Sequence, residues 1–534
     1  MLKPYRTKLL PARLKIEVGD AAKGEADALV VPAYQGERKH EILFDRTKAR
    51  GVLSHLKAPD FKAGPKDGVL LRTLGRLPAP RLLVLGVGRP KEVGADRLRD
   101  FAGRAASKLK GKNVRRVAID VPSRTGVSVD TAVEVMAEGA LLALFEVEDF
   151  RKRNPEAGRS PAEFTFYIAD RAALAPARRG LARGREIARY TNAARLLSTL
   201  PSNEKPPARL ADLLGEVARA GGLTFSVLDE KELGKRGFQA LLAVGKGSAA
   251  PPRMVVAEYR GGPKGAPPVA LVGKGITFDT GGISLKPTFG AYPMWHMKWD
   301  MTGAAAVVCA AACAGALKLP VNLVAIACLA ENMPSGSAYK PSDVVRAQNG
   351  VTIEVVNSDA EGRVVLADGL SHAQSFKPQA VVDVATLTGA IGIALGPRTS
   401  GLFSNSDELA DRLMAAAKRT QDSLWRMPLF EWYDELIESP IADWKNSAGQ
   451  PAGAGTAARF LEKFAGRHPW AHLDIASTAW TDRGKGEVKH PWQPRGTTAT
   501  GVRLLVEALR AWKGPPKLSR LSAEARAPAS EDDD

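Results

Sequence analysis

Short apolar runs of strand length alternate with helix-like segments along most of the chain, and this rhythm constrains the fold most strongly. Residues 26–34 and 81–88 are apolar runs that end in turn residues. Residues 95–111 have an amphipathic helical pattern, and the strand-like residues 114–121 follow them. Strands that alternate with helices predict a sheet covered by helices. The pattern resumes from about residue 250, so we expect an α/β fold in both parts.

The length of the chain predicts two domains, because 534 residues are too many for one hydrophobic core. We expect a smaller N-terminal α/β domain over residues 1–180. A larger α/β domain is expected over residues 181–512, with a central mixed sheet flanked by helices. Residues 513–534 are polar and end in four acids, which predicts a disordered tail.

Composition argues against a secreted or membrane protein. Three cysteines are too few for a disulfide framework, and Cys309 and Cys313 lie in the alanine-rich run 303–317 as small core residues. That run is too short to span a bilayer and predicts a buried helix. The N-terminus has no apolar stretch of signal-peptide length, so we expect a cytoplasmic protein.

The positive charge is concentrated in the N-terminal part. Residues 1–200 hold 39 lysines and arginines against 23 aspartates and glutamates, a net charge of +16 out of +18 for the whole chain. A basic domain can attract nucleic acid or another polyanion. The alternative is a solubilising surface, and we favour it because no nucleic-acid motif accompanies the charge.

Charged residues collect where predicted strands end. The stretch NSDAEGRVVLADGL, residues 357–370, puts Asp359, Glu361 and Arg363 at the mouth of an apolar helix after the strand-like residues 351–357. Lys274 and Asp279 follow another strand, in the glycine-rich KGITFDTGGISLKP. Ligands of open α/β sheets bind outside the carboxyl ends of strands. Carboxylates that converge there repel one another and call for a divalent cation.

Each acid also has an ordinary structural interpretation. Asp359 could be a helix N-cap, and Asp300, which precedes another predicted helix, could be a second one. Glu361 and Arg363 could form a surface ion pair of little energetic value. Because one helix needs only one cap, the acids together favour a metal site.

These stretches resemble the leucine aminopeptidase family, the cytosol aminopeptidases. The family signature usually has threonine where this chain has Ser358, and residues 272–287 resemble the family's other active-site loop. Further matches follow in order at DVATLTGA (383–390), GLFSN (401–405), PWAHLDIA (469–476) and TGVRLLVEAL (500–509). Several ordered motifs are more specific than one short pattern. The resemblance covers roughly residues 185–510, whereas residues 1–180 share only the general rhythm.

The resemblance implies a metal-dependent leucyl aminopeptidase, a hydrolase that releases amino acids from peptides with a free N-terminus. It implies two divalent ions per subunit, Mn²⁺ or Zn²⁺, and a homohexamer with the catalytic domains inside. The implied metal ligands are Lys274, Asp279, Asp300, Asp359 and Glu361. Asp279 and Glu361 would bridge both ions, which would lower the pKa of a shared water. Lys274 must be neutral to bind a metal, and burial beside cations should depress its pKa.

The remaining implied roles concern catalysis and the substrate. Lys286 would stabilise the oxyanion of the tetrahedral intermediate. Arg363 would hold a bicarbonate ion that acts as a borrowed general base. The substrate-binding residues implied are Met297, which would line the pocket for the first side chain, and Thr386, Leu387 and Gly389, which would position the peptide.

One segment departs from the family pattern. By eye, the segment between Lys286 and Asp300 is about three residues longer than usual. It adds Trp295 and His296 close to Met297. The preferred first residue of the substrate therefore stays open, although the metal site is unaffected.

The sequence leaves two alternatives to an active aminopeptidase. A nucleic-acid-binding regulator could use the basic N-terminal part on the same scaffold, and it would bind duplex DNA in a salt-dependent way. The second alternative is a catalytically inactive member of the family that serves only in protein assembly. The complete set of implied ligands and catalytic residues in this chain argues against it.

Overall fold

The computed structural model describes residues 1–2, 4–37, 41–45, 49, 53, 61–152, 158–289, 293–482 and 490–519. These residues form two compact units. The N-terminal unit comprises the described residues of Pro4–Asn192 and Lys489–Pro494, and the C-terminal unit comprises the others. Both units are α/β structures, as the strand and helix rhythm predicted. The domain limits at residues 180 and 512 stay predictions, and most of the tail expected to be disordered lies outside the described residues.

The N-terminal unit is built on a largely parallel sheet. Its strands are β1 (Arg13–Val18), β2 (Ala28–Gln35), β3 (Ile42–Leu43), β4 (Gly68–Arg72), β5 (Arg81–Gly88), β6 (Arg116–Asp120) and β7 (Glu163–Ile168). They lie in the order β1-β7-β6-β2-β5-β4, with β3 beside β2, and β3 and β4 are antiparallel to their partners. Alternate residues of β2 enter two separate cores, one through Val30 and one through Val31. This alternation explains why the strand is apolar throughout.

Three long helices begin in the N-terminal part of the chain. They are α1 (Ala95–Leu109), α2 (Val129–Ala143) and α3 (Leu174–Thr199). The chain between residues 158 and 199 contains β7 and α3. The buried side chains of Phe164 and Phe166 on β7 belong to the core of the N-terminal unit.

The C-terminal unit contains a mixed eight-stranded sheet, as predicted. The described strands of this unit, which also include two smaller sheets, are β8 (Thr224–Leu228), β9 (Arg253–Arg260), β10 (Val269–Asp279), β11 (Asn322–Asn332), β12 (Val344–Arg346), β13 (Thr352–Glu354), β14 (Ala380–Ala385), β15 (Ser400–Ser404), β16 (Leu424–Arg426), β17 (Trp444–Lys445), β18 (Trp470–Asp474), β19 (Trp480–Thr481) and β20 (Gly496–Thr497). The main sheet has the order β16-β15-β18-β14-β10-β11-β9-β8. Its central strands β18, β14, β10 and β11 are parallel, so their carboxyl ends meet at one edge.

Helices cover this sheet. They are α4 (Pro207–Ala220), α5 (Glu230–Lys235), α6 (Gln239–Gly245), α7 (Thr302–Ala316), α8 (Glu361–Gln374), α9 (Gly389–Leu395), α10 (Asp407–Thr420), α11 (Tyr433–Ile437), α12 (Gly453–Glu462) and α13 (Val502–Arg510). α4 begins at Pro207, because proline suits the first turn of a helix.

Helix α7 is the buried helix predicted for residues 303–317. Cys309 and Cys313 are fully buried in it, as expected of small core residues. With the preceding 3₁₀ turn, the stretch Met294–Ala316 is apolar and long enough to cross a membrane, but it is almost wholly buried inside the protein. A Cβ at Gly303 would lie 2.1 Å from the carbonyl oxygen of Val384. Glycine therefore lets α7 lie directly against the sheet, which fixes the position of Asp300 at its start.

Two predicted element limits were wrong. The strand predicted over residues 351–357 is only Thr352–Glu354, and it pairs with β12 and β17 in a separate three-stranded sheet. β10 continues through Asp279, so Lys274 lies inside a strand rather than after it. The glycine-rich sequence from residue 274 suggested a loop, but Gly273 and Gly275 are tightly packed against α7 and β11.

Candidate metal and active site

The carboxyl edge of the main sheet contains a cavity of about 380 Å³. β10 contributes Lys274 and Asp279, α8 contributes Glu361, and the turn after β14 contributes residues 386–389. The cavity is lined by Lys274, Asp279, Lys286, Pro287, Met297, Trp299, Asp300, Asp359, Glu361, Thr386, Leu387, Thr388, Gly389 and Ala476. Ten of the eleven site residues predicted from the sequence are in this set, and Arg363 is the exception.

Three carboxylates form the centre of the cavity. Asp279, Asp300 and Glu361 are 1%, 4% and 1% exposed, and each offers an oxygen within 4.8 Å of the other two. Asp359 is joined to them through Lys286. Neither acid that could have been a helix cap serves as one, because the N-cap residues of α8 and α7 are Ala360 and Met301. The cap interpretation of these acids is therefore wrong.

Two lysines contact the acids. Lys274 Nζ lies 2.8 Å from Asp300 Oδ2 and from Glu361 Oε1, and it donates to the carbonyl oxygen of Thr386 at 2.8 Å. Lys286 Nζ lies 2.9 Å from Asp279 Oδ2 and 2.5 Å from Asp359 Oδ1. Four acids and two lysines leave the cluster with an excess of negative charge.

This excess is reflected in the pKa values of the acids. Burial, followed by the neighbouring carboxylates, raises the pKa of Asp300 to about 8 and of Asp359 to about 7, and it also raises the pKa of Glu361. Lysine contacts only partly offset these effects. Each raised pKa means that the site, without further positive charge, holds protons that a free carboxyl group would lose.

The pKa values of both lysines are raised, whereas a lowered pKa is predicted for Lys274 beside bound cations. Burial alone would lower the pKa of Lys274, but the carboxylates of Asp300, Glu361 and Asp279 outweigh burial and raise it. Lys286 behaves in the same way, chiefly through Asp279 and Glu361. The charges acting on Lys274 here are anions, and a cation at the acids would reverse this balance.

The donor set fits hard divalent cations. Within the described part of the chain, Glu361 Oε2 is buried and has no hydrogen-bond partner. A buried carboxylate oxygen without a donor is costly unless an ion binds it. Oxygen-rich clusters of this kind suit Mg²⁺, Mn²⁺ or Zn²⁺.

A hydrogen-bond network holds the ligand loops in place. Asp279 Oδ1 accepts from Gly281 N and from Asn332 Nδ2, both at 2.8 Å. Ser358 Oγ donates to Gly281 O at 2.7 Å and accepts from Ser284 N at 2.8 Å, so it ties the two active-site loops together. The hydroxyl group of Ser358, at the position where the family usually has threonine, therefore takes part in this network. Asn332 was missed in the sequence because it carries no motif of its own at the end of β11.

Arg363 does not line the cavity and lies in the first turn of α8. Burial lowers the pKa of its guanidinium to about 10, although Glu361 and Asp474 counter this effect. Its Nε has no acceptor among the residues that the structure describes. A surface pair with Glu361 is excluded, because both side chains are buried.

Asp474 was also missed, although it lies in the matched stretch PWAHLDIA. It ends β18 and accepts from Thr388 Oγ1 at 2.7 Å and from Leu387 N at 3.1 Å. It thereby orders the turn at residues 386–389, which forms one side of the cavity. The cavity residues that the sequence did not single out are Pro287, Trp299, Thr388 and Ala476.

Comparison with known proteins identifies two matched regions. The catalytic-domain model of the cytosol aminopeptidase family matches residues 192–506, and its N-terminal-domain model matches residues 30–154. A probable cytosol aminopeptidase of Geobacter sulfurreducens is 45% identical over 501 residues, covering 93% of this chain and 99% of the relative. One of Roseiflexus castenholzii is 42% identical over 501 residues, covering 94% and 99%.

Solved structures show the same relationship. The bottromycin maturation enzyme BotP superposes with a TM-score of 0.78 at 36% identity, covering 91% of this chain and 99% of that one. A second structure of this enzyme, in complex with Mn, matches with the same TM-score at 35% identity.

Proposed function

The chain belongs to the cytosol aminopeptidase family, and we propose that it is a two-metal exopeptidase with a leucine-type preference for the first residue. Family membership makes it an aminopeptidase, a hydrolase that acts on peptides. The observation that carries the metal proposal is the buried acid cluster with an unpartnered Glu361 oxygen among the described residues. The relative BotP, whose structure is described as a complex with Mn, adds support.

The ligands are assigned by the chemistry of each side chain. Asp279 and Glu361 would bind both ions, Asp359 would complete one site, and Lys274 with Asp300 the other. We propose Mn²⁺ or Zn²⁺, since carboxylate and amine ligands suit either ion. When bound, the ions would hold the substrate's free amine and scissile carbonyl and would lower the pKa of a water between them.

Lys286 is the proposed oxyanion-stabilising residue. The carboxylates around it keep its ammonium group charged, and its side chain is 14% exposed on the cavity wall. A charged donor held by two carboxylates is preorganised for a developing negative charge.

Arg363 is proposed to hold bicarbonate, which at this position would have the chemistry of a proton acceptor. The buried Nε that lacks an acceptor among the described residues supports an anion there. Met297 would line the pocket for the first side chain, and Thr386, Leu387 and Gly389 would position the peptide. The contacts of Asp474 with the turn at residues 386–389 support the role of that turn in positioning the peptide.

Other features of the proposal rest on the family alone. We propose a homohexamer, a cytoplasmic location and domain limits at residues 180 and 512. The nucleic-acid alternative receives no support from the matched families, so it stays a prediction. It is best tested at the cleft of about 950 Å³ in the N-terminal unit, whose basic lining residues are Lys8, Arg13, Lys15, Arg115, Arg116 and Arg185.

Metal stoichiometry tests the proposal directly. Equilibrium dialysis of metal-stripped protein against Mn²⁺ should give two ions per chain, and Glu361→Gln should lower this number while the fold is kept. Asp368→Asn is the matched control, because Asp368 is a fully buried acid on the same helix with its oxygens bonded to backbone amides. No bound ion in the wild type, or two ions in Glu361→Gln, would contradict the assignment.

A further inference from the structure

Two of the matched sequence motifs, residues 383–390 and 469–476, meet in a buried pair of side chains that the proposed reaction does not use. Asp383 on β14 lies opposite His472 on β18 in the parallel register of the sheet, and both are fully buried. His472 Nδ1 lies 2.5 Å from Asp383 Oδ1, and Trp470 Nε1 donates to Asp383 Oδ2 at 2.7 Å. Both oxygens of Asp383 are therefore bonded, which fixes the orientation of the imidazole ring.

Asp474 connects this pair to the cavity. It lies on the same face of β18 as His472, because alternate residues of a strand point to the same side, and it is also fully buried. Its carboxylate accepts from Leu387 N at 3.1 Å, from Thr388 N at 3.4 Å and from Thr388 Oγ1 at 2.7 Å. The turn at residues 386–389, which lines the cavity, thus depends on a carboxylate two residues beyond His472.

The buried charges of this group balance when His472 is protonated. Asp383 and Asp474 are two acids, and Arg363 is one cation whose charge acts on both His472 and Asp474. A neutral imidazole would leave one buried negative charge without a counter-charge, which is costly. Burial alone would lower the pKa of His472, but the carboxylates of Asp383 and Asp474 outweigh burial and raise it. Its Nε2 has no hydrogen-bond partner among the described residues, so its effect on Asp474 is one of charge.

We propose that the imidazolium of His472 is a positioning residue, which keeps Asp474 in the charged form that holds the peptide-binding turn. This inference rests on the proposed function. His472 does not line the cavity, so it would act only through Asp474. A buried carboxylate that loses its neighbouring cation tends to take up a proton, and it then accepts hydrogen bonds less well. A displacement of the turn by about 1 Å can lower a rate about 100-fold.

A double-mutant cycle tests this role in the full-length, Mn²⁺-loaded protein, with leucine p-nitroanilide as the substrate. His472→Asn keeps an amide donor for Asp383 but removes the positive charge, and Asp474→Asn removes the charge on which His472 acts. Each substitution should lower kcat/KM about 10- to 100-fold while two Mn²⁺ ions stay bound per chain. The double variant should be no slower than the slower single variant, because both changes interrupt the same interaction.

The pH profile separates the charge of His472 from its packing. Because its pKa is raised, the imidazolium is present at neutral pH and is lost as the pH rises. The ratio of kcat/KM for the wild type over His472→Asn should therefore fall toward one between about pH 7 and pH 9, whereas titration of the metal ligands cancels in this ratio. The charged groups that face His472 are Asp383, Asp474 and Arg363, and the profile stops below the pKa of Arg363, which is about 10.

Two comparisons support these measurements. The ratio of kcat/KM for the wild type over Asp474→Asn should also fall with rising pH, and this comparison does not require that a His472 variant folds. His468→Asn is the matched control, because His468 is a half-buried histidine four residues earlier and outside the charged group. This control should keep kcat/KM within about twofold of the wild type at every pH, and it should bind two Mn²⁺ ions.

The outcomes separate this inference from the proposed function. If the wild type with bound Mn²⁺ does not cleave leucine p-nitroanilide, the proposed function fails and the inference fails with it. If the wild type cleaves it but the losses in the two single variants multiply in the double variant, only the inference is overturned. Ratios that stay constant from pH 7 to pH 9 would also overturn it, since packing alone does not change with the charge of the ring.

Discussion

The glycine between Glu361 and Arg363 gives a sharp test of the role of Lys274. Gly362 lies in the first turn of α8, and a Cβ added there would lie 2.6 Å from Lys274 Cε and 2.8 Å from its Cδ and Nζ. Such distances are far below normal contact, so Gly362→Ala must displace the lysine side chain. The substitution itself adds one methyl group to a helix, where alanine is favoured over glycine.

The size of the displacement follows from the geometry. Carbon atoms approach to about 3.5 Å, so Lys274 Cε must retreat by about 0.9 Å. The 2.8 Å contacts of Nζ with Asp300, Glu361 and Thr386 O cannot all be kept, and one that lies along the displacement would stretch to about 3.7 Å, beyond hydrogen-bonding distance. Separating a buried ion pair costs about 3–5 kcal/mol. A ligand displaced by about 1 Å can lower a rate about 100-fold.

Bound Mn²⁺ and kcat for leucine p-nitroanilide are measured on the same preparation. Gly362→Ala should lose at least one ion per chain and about 100-fold or more in kcat. Gly369→Ala is the matched control on the same helix, because its Cβ would lie 2.5 Å from Cys328 Sγ and 2.9 Å from Val272 Cγ1. It should lower thermal stability yet keep the bound ions. A Gly362→Ala protein with two ions and wild-type kcat would refute the ligand role of Lys274.

Three further predictions concern charge. Lys286→Met should lower kcat for leucine p-nitroanilide about 100- to 1,000-fold with a small change in KM, and a raised KM with normal kcat would contradict the oxyanion role. Mn²⁺ affinity measured by calorimetry should fall as the pH is lowered from 8 to 6, by about tenfold per pH unit for each proton displaced, because Asp300 (pKa about 8) and Asp359 (pKa about 7) take up protons. Affinity independent of pH would contradict this reasoning. Burial, with nearby carboxylates, raises the pKa of Asp120 to about 7, so its stabilising contribution is complete below about pH 4 and is lost as the pH rises through 7. The wild type should therefore lose stability between pH 4 and pH 8 that Asp120→Asn keeps. Urea denaturation should show that the free energy of unfolding of the variant minus that of the wild type is larger at pH 8 than at pH 4 by about 2–4 kcal/mol, and the same difference at both pH values would refute the reasoning.

Much of the fold could be read from the sequence because each unit obeys simple local rules. The apolar runs of β5, β11 and β14 are buried on both faces, so they are continuous and easily recognised. Helix α7 is apolar all round, which correctly predicted that it is buried. β7 is harder to recognise in the sequence, because its flanks are rich in arginine and proline.

The candidate site was harder to derive from local pattern. Lys274 reads as a surface lysine, and only the distant Asp300 and Glu361 explain why it is buried. The glycines beside it suggested a loop, but they allow close packing against α7. Trp299 and Trp480 are 181 residues apart, so their stacking depends on tertiary structure that no local period reveals.

The central claim is that the buried acids make a metal-dependent exopeptidase. The most direct measurement is the hydrolysis of leucine p-nitroanilide and its N-acetylated form by metal-stripped protein and by protein reloaded with Mn²⁺ or Zn²⁺. We predict cleavage only of the free-amine substrate, only after reloading, and its loss in Glu361→Gln. Equal cleavage with and without metal, or equal cleavage of the acetylated substrate, would contradict the account.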